Sequence, residues 1–431
     1  MCECGRSSRC RRVAAAALAL SLAFSHSFSS IQAQQPELGK CSERPHVITG
    51  ALFVDYLRWC VEGVVDDPDI EPFSFTALEA APDGSLFATR PLAGEVMIIE
   101  DADGDQLPDT MRTFAEGLNM PNGLAYHEGD LYVSGGSKIY RISAGGSVDT
   151  IVSDLPVGSG FPVGGLVVGE DERLYVPVGA PCDNCEFDEP ERGAILSMTL
   201  DGADRQVIAS GFRHPADVEF YRGKLWSLDS APRTYQRGAV DEVNQVETGA
   251  WYGFPYCLGA ATVNLASDQF DCASSAPPRV LFGAGARPSS LAAYPYDTLT
   301  GTADTLIVVL SGEPTQIDFV GYKVVMLNFD DGDQLLGATL VLPFRIESTR
   351  QAYVPYDGEG YFWRQYITLS ELGWGIYPQQ PLAVAVNSYG WIYISMTGGR
   401  IVALRPANET PPWEDFYPIW TPMHPDYDPS A

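Results

Sequence analysis

The sequence predicts an all-β chain: one six-bladed β-propeller of four-stranded antiparallel blades, its ring closed by an N-terminal strand. Three observations lead there. A strand carrying a Leu-aromatic or Leu-Ile type pair recurs six times, each time preceded by an alternating apolar and polar strand and followed by a strand that closes on it. The 42 Gly and 32 Pro are spread along the chain, as many turns require, and the repeats show no helical pattern. The sixth repeat lacks an outer strand of its own, so the sheet edge it leaves must be covered from elsewhere in the chain.

The inner strands are expected at 75–80, 121–126, 162–168, 215–220, 288–294 and 381–386. The second strands carry Leu86-Phe87, Leu131-Tyr132, Leu174-Tyr175, Leu225-Trp226, Leu306-Ile307 and Ile392-Tyr393. Their closing partners are expected at 95–99, 138–142, 194–200, 241–246, 322–329 and 400–404, and outer strands are legible at 111–115, 147–153, 206–210 and 339–344. The compact repeats have the spacing that propeller blades require. Beyond them the chain enters a Pro- and aromatic-rich tail, 408–431, and the segment within 46–64 is expected to pair with 400–404 and close the ring. A chain of 431 residues could hold two or three domains, but all-β folds of this kind often exceed the usual domain size, and 34–407 reads as one propeller.

Insertions locate the working face. The links from second to third strand are long at 178–193, 229–239 and 311–321, and a further aromatic insert, 349–380, lies between the fifth and sixth blades. Strand direction alternates in a meander, so these links emerge where the inner strands begin, beside Arg213 and His214. Tyr361, Trp363 and Trp374 of the last insert suit stacking on sugar rings; packing of the insert onto the ring accounts for them equally well.

Residues 1–33 read as a signal peptide, with Arg6, Arg9, Arg11 and Arg12 ahead of an apolar run at 13–24 that is too short to span a bilayer. The expected location is therefore secreted or periplasmic, with no membrane span, and the chain is expected to act as a monomer. The formal net charge of −29 argues against nucleic acid as a partner and matches a solvated acidic surface. Beyond the signal there are six cysteines; proximity suggests Cys41–Cys60, Cys182–Cys185 and Cys257–Cys272 as disulfides, although six cysteines allow about 15 pairings.

Asp101, Asp103, Asp105 and Asp109 are spaced so that alternate carboxylates could wrap a hard cation, calcium for preference, and a solvated Asp/Gly turn explains the same run. His214 is the one histidine expected at the mouth, and the candidate for proton transfer; a histidine held structurally at a strand start is the alternative. There is no Gly-x-Ser-x-Gly elbow, His-Glu-x-x-His pair, phosphate loop or dinucleotide fingerprint, so hydrolase and nicotinamide readings have no motif behind them.

Taken together, Asp101-Ala102-Asp103-Gly104-Asp105, Pro121-Asn122-Gly123-Leu124, Leu174-Tyr175-Val176-Pro177-Val178-Gly179 with Cys182 and Cys185, Arg213, Asp241-Glu242-Val243-Asn244, Tyr252-Gly253-Phe254-Pro255-Tyr256-Cys257 and Gly321-Tyr322-Lys323-Val324-Val325 resemble the pyrroloquinoline quinone (PQQ) dependent glucose, sorbosone and pyranose dehydrogenases. The resemblance implies PQQ and calcium as cofactors at the propeller mouth. It also implies oxidation of a sugar or small polyol by hydride transfer to the quinone, and an electron acceptor that the sequence does not identify. Arg213 and Asp229 are then the candidate cofactor contacts and His214 the candidate base. The chain departs from the pattern at Phe161-Pro162-Val163-Gly164, where the resemblance implies a catalytic histidine, and at Ser311-Gly312-Glu313-Pro314-Thr315, where it implies a basic cofactor contact. A propeller without catalysis, binding a carbohydrate or protein at the same mouth, is the alternative.

Overall fold

The structure, a computed structural model, describes residues 40–44, 54, 58–232, 240–259, 262–267, 270–296, 304–313, 321–342, 353–356, 360–363 and 379–408. Its strands form six four-stranded antiparallel blades. The first runs Leu78–Ala80, Leu86–Arg90, Glu95–Glu100 and Thr110–Ala115, and the second Pro121–His127, Asp130–Gly135, Lys138–Ile142 and Val148–Val152. The third holds Val167–Val168, Arg173–Val178, Ala194–Thr199 and Gln206–Ser210; the fourth Val218–Tyr221, Lys224–Asp229, Val240–Gln245 and Val280–Gly283. The fifth holds Pro288–Tyr294, Thr305–Leu310, Lys323–Phe329 and Leu335–Leu342. Pro381–Val386, Ile392–Met396 and Arg400–Pro406 make three strands of the sixth, and Trp59–Asp66 supplies its fourth.

The core lies between neighbouring blades. Alternate residues of each strand leave opposite faces of the sheet, so Ile307 and Val309 of the fifth blade meet Ile394 and Val402 of the sixth, while Trp226 of the fourth meets Phe329 of the fifth. Trp226 and Trp391 are fully enclosed. Aromatic side chains of this size dominate the energy of such a core.

Ring closure is fastened in three ways. Trp59–Asp66 pairs antiparallel with Arg400–Pro406 from Trp59 opposite Pro406 to Asp66 opposite Arg400. Beside it the Cys41–Cys60 disulfide ties down the segment that leads in. Glu62, wholly buried, lies between Arg405 Nε and Arg44 Nε, each 2.8 Å from one of its oxygens. Strand, disulfide and charges therefore all hold the same edge.

Some details differ from the sequence expectations, the inner strands of the first and fourth blades beginning only at Leu78 and Val218. The inner strand of the third blade is regular only at Val167–Val168, because Gly165 N donates to Ala216 O of the fourth blade at 2.9 Å instead of pairing within its own sheet. The outer strand of the fourth blade, Val280–Gly283, was not legible in the sequence, and that of the fifth starts at Leu335, ahead of the expected 339. A hairpin of the long insert, Tyr353–Tyr356 and Gly360–Trp363, extends that fourth blade, its second strand running parallel to Val280–Gly283. An outer strand offers an unpaired edge, and the hairpin covers it. Among the described residues, no helix is long and apolar enough to cross a membrane.

Candidate functional site

The mouth is built where the third and fourth blades meet. The loop after Val178 carries the Cys182–Cys185 disulfide, and Gly211 to Pro215 leads into the inner strand of the fourth blade. Arg213, 2% exposed, reaches back across this junction. Its Nε donates to Asp183 O at 3.0 Å, one terminal nitrogen donates to Ser230 O at 2.8 Å, and the other pairs with the Asp183 carboxylate. The guanidinium lies 4.1 Å from the centre of the Phe161 ring, a cation–π contact. One arginine thus fastens the disulfide loop of the third blade to the loop that follows Asp229.

Asp229 is the other half of this fastening. Its carboxylate accepts the backbone N–H of Arg213 at 2.9 Å and that of His214 at 2.6 Å. Burial pushes its carboxyl up to about 7, against the pull of those bonds and of the Arg213 charge. Its oxygens set the path of the chain at Arg213 and His214. The imidazole of His214 packs against Phe161 with ring centres 4.8 Å apart, at the head of the central channel.

Of the residues singled out in the sequence, the structure brings together Arg213, His214 and Asp229. It sets Asp101, Asp103 and Asp105 apart from them: their loop joins third to outer strand in the first blade, and by the alternation of strand direction it opens on the opposite face. Those three side chains bring carboxylate oxygens within 4.8 Å of one another, a donor set whose chemistry suits a hard cation. Arg44 already stands 3.2 Å from Asp105 Oδ2, and Asp109 lies outside the group, its Oδ1 accepting from Ala102 N at 3.3 Å and Thr110 Oγ1 at 3.0 Å. Tyr361 and Trp363 fall on the hairpin strand Gly360–Trp363, and Trp374 lies outside the described residues, as do residues 1–33 and the tail beyond Asn408. The disulfides are Cys41–Cys60, Cys182–Cys185 and Cys257–Cys272.

Sequence reasoning missed Asp183, whose only signal is its place inside the Cys182–Cys185 loop. It also missed the two acids below Asp229. Asp241 holds Ala231 N at 2.6 Å and Arg287 N at 2.8 Å, and burial raises its carboxyl to about 6. Glu242 is pushed up to about 8 by burial and by the charge of Asp229, while accepting from Gly259 N at 2.8 Å and Asn244 Nδ2 at 3.1 Å. Their motif drew notice in the sequence, but no role followed from it.

No family model matches the chain, and no curated protein does. Solved structures match it over nearly their whole length. The Trichoderma reesei protein of Carbohydrate-Active Enzymes Family AA12 is 16% identical with a TM-score of 0.61, the match covering 86% of this chain and 100% of that one. The holo form of the pyranose dehydrogenase PQQ domain from Coprinopsis cinerea is 12% identical with a TM-score of 0.60, covering 86% and 99%. The PQQ-bound aldose sugar dehydrogenase of Streptomyces coelicolor is 15% identical with a TM-score of 0.54, covering 81% and 99%. Six blades, the closing strand and these likenesses together give the chain the β-propeller fold of the PQQ-dependent sugar dehydrogenases.

Proposed function

We propose that this chain is a sugar- or polyol-binding propeller of the quinoprotein dehydrogenase type whose mouth, as folded, is made for a neutral polar ligand and does not fit the anionic quinone. The enclosure of Arg213 carries this reading. PQQ bears three carboxylates, each of which needs a fixed cation in a protein this acidic. At the described mouth Arg213 is clamped by Asp183 and Ser230, and Arg192 gives its Nε to Gly179 O at 2.6 Å. Arg287 pairs with Glu313 at 2.9 Å, and burial lowers the pKa of the Lys323 ammonium well below its ordinary value. A neutral sugar asks less: polar amides such as the paired Asn184 and Asn264. The similar structures named above include a pyranose dehydrogenase domain and an aldose sugar dehydrogenase, which supports a sugar ligand. Three disulfides and the signal-like composition of residues 1–33 support a secreted or periplasmic location.

A second reading, sugar oxidation with PQQ, is favoured by the position of His214 beside Arg213 at the channel head. There the imidazole would take the proton of the sugar hydroxyl, the quinone would supply the hydride acceptor, and Asp229 would hold both residues in place through their backbone. Calorimetry separates the two readings. Wild type and Asp183→Ala are titrated with PQQ and calcium, then with a panel of aldoses and polyols. The expected result is sugar binding by both, no quinone binding by the wild type, and quinone binding gained on release of Arg213 in Asp183→Ala. Quinone binding to the wild type, weakened by Arg213→Ala and accompanied by dye reduction that His214→Ala abolishes, would establish the second reading in place of the first.

A further inference from the structure

Whatever occupies the mouth, the inner strands of the six blades line a central channel that encloses about 470 Å³. Its titratable groups can be taken blade by blade. The first contributes Glu79, the second Tyr126 and His127, and the fourth His214, Asp217 and Glu219; the lining residues of the third, fifth and sixth blades carry no titratable group. The histidines stand at the two ends, His127 bonded to Glu172 at 3.1 Å and His214 packed on Phe161. No arginine or lysine lines the channel among the described residues.

The first and fourth blades are opposite members of a ring of six, so Glu79 faces Glu219 and Asp217 across the channel. Each acid is held by backbone N–H groups. Glu79 Oε1 accepts from Tyr126 N at 3.0 Å, Asp217 Oδ2 from Leu291 N at 2.8 Å and Glu219 Oε1 from Phe220 N at 2.8 Å. Asp217 is also wedged against the third blade: a Cβ on Gly165 would fall 1.9 Å from its Oδ1. These are three half-buried acids lining one channel, near enough to oppose one another's ionisation, with no arginine or lysine beside them among the described residues.

We propose that the channel is a pH-sensitive element of the fold, in which Glu79, Asp217 and Glu219 keep protons that the unfolded chain gives up, so that the closed ring weakens as the pH rises through neutrality. Burial raises Glu79 and Asp217 to about 7, and burial together with the charges of Glu79 and Asp217 raises Glu219 to about 8. An unfolded chain ionises the same groups near about 4. Between those values the folded ring holds protons that the unfolded chain does not, so stability falls as pH rises from about 4 to about 8 and then levels off.

The test compares the melting temperature at about pH 5 and about pH 8.5 for three proteins. They are the wild type, the channel variant Glu79→Gln, Asp217→Asn, Glu219→Gln, and a charge-matched control carrying Glu128→Gln, Asp149→Asn and Glu170→Gln at exposed positions. The expected result is a fall of several degrees in the wild type and the control and a much flatter profile in the channel variant. Equal falls in all three would overturn the proposal, because the slope would then belong to general repulsion in an acidic protein. A second readout does not depend on the triple variant folding. Infrared spectra near neutral pH should show a protonated carboxyl band in the wild type that shrinks in Glu219→Gln, and the absence of that band from the wild type would equally overturn it.

Discussion

The ring closure and the central channel both take acids away from bulk water, wholly in the first and partly in the second, and treat them in opposite ways. At the closure, Glu62 is enclosed with two arginines, Arg44 and Arg405, at hydrogen-bonding distance on either side. In the channel, Glu79, Asp217 and Glu219 are enclosed with backbone N–H groups and one another, and their carboxyls rise to about 7 or 8. Glu62 is wholly buried and the channel acids are half-buried, and the partners differ as well. A buried acid beside a cation becomes a fastening, whereas one without a cation becomes a proton store whose cost depends on pH. The mouth belongs with the closure, since Arg213 and Asp183 fasten two blades as Arg405 and Glu62 fasten the two ends of the ring.

The sharpest way to break this comparison is to turn the closure into a second channel. The double variant Arg44→Ala, Arg405→Ala leaves Glu62 buried without a cation, and its denaturation midpoint should fall by the equivalent of about 5 kcal/mol. Its stability should also decline more steeply than the wild type's between acid and neutral pH. A loss indistinguishable from that of a surface substitution would mean that the two arginines do not hold the ring.

Next in size is the covalent fastening. Cys41→Ser with Cys60→Ser opens a bridge between residues 19 apart in sequence, which by the loop-closure account is worth about 3 kcal/mol. Chemical denaturation under oxidising conditions should show this, and fluorescence of Trp59, beside the bridge, should report opening of the closure ahead of the other blades. Simultaneous loss of all blades would show that the closure is no weaker than the rest once the bridge is gone.

Gly165→Ala tests the channel from the opposite side. Its methyl group has no space beside the Asp217 carboxylate, and overpacking of this kind typically costs about 2 kcal/mol. If Asp217→Ala is made in the same chain, the penalty of Gly165→Ala should shrink; a strictly additive double variant would place the strain elsewhere. The smallest effect is expected at the outer edge of the first blade, where Arg112 and Glu100 pair in solvent at 2.7 Å. Arg112→Ala should leave the thermal midpoint unchanged, since exposed pairs are screened.

How far each region could be read in advance follows from the distance over which its cause acts. Strand pairs such as Leu174-Tyr175 with Ala194–Thr199 are announced by alternation and by turns within a few residues. The closure was inferred from an absence, the missing outer strand of the sixth repeat, which geometry obliges some other segment to supply. The partner of Arg213 could not be inferred in that way. Asp183 lies 30 residues away, in a loop whose course depends on the disulfide and on how two blades meet. The channel acids were misleading in a different manner. Asp217, just before the strand Val218–Tyr221, and Glu219 within it stand at alternate positions, which in an open sheet places polar groups toward water; in a closed ring of six the same positions line the channel.

By itself the sequence determined the repeat, the number of blades, the closing segment and the pairs of cysteines near enough to join, because each rests on local pattern or on counting. Only the tertiary structure decided which charges meet. It gave Arg213 to Asp183 and Ser230 and Glu62 to two arginines, and left Glu79, Asp217 and Glu219 to share a channel that no described arginine or lysine lines. The physical reason is that the state of a buried charge depends on what stands within a few ångströms of it, and in a ring of blades those neighbours come from remote parts of the chain.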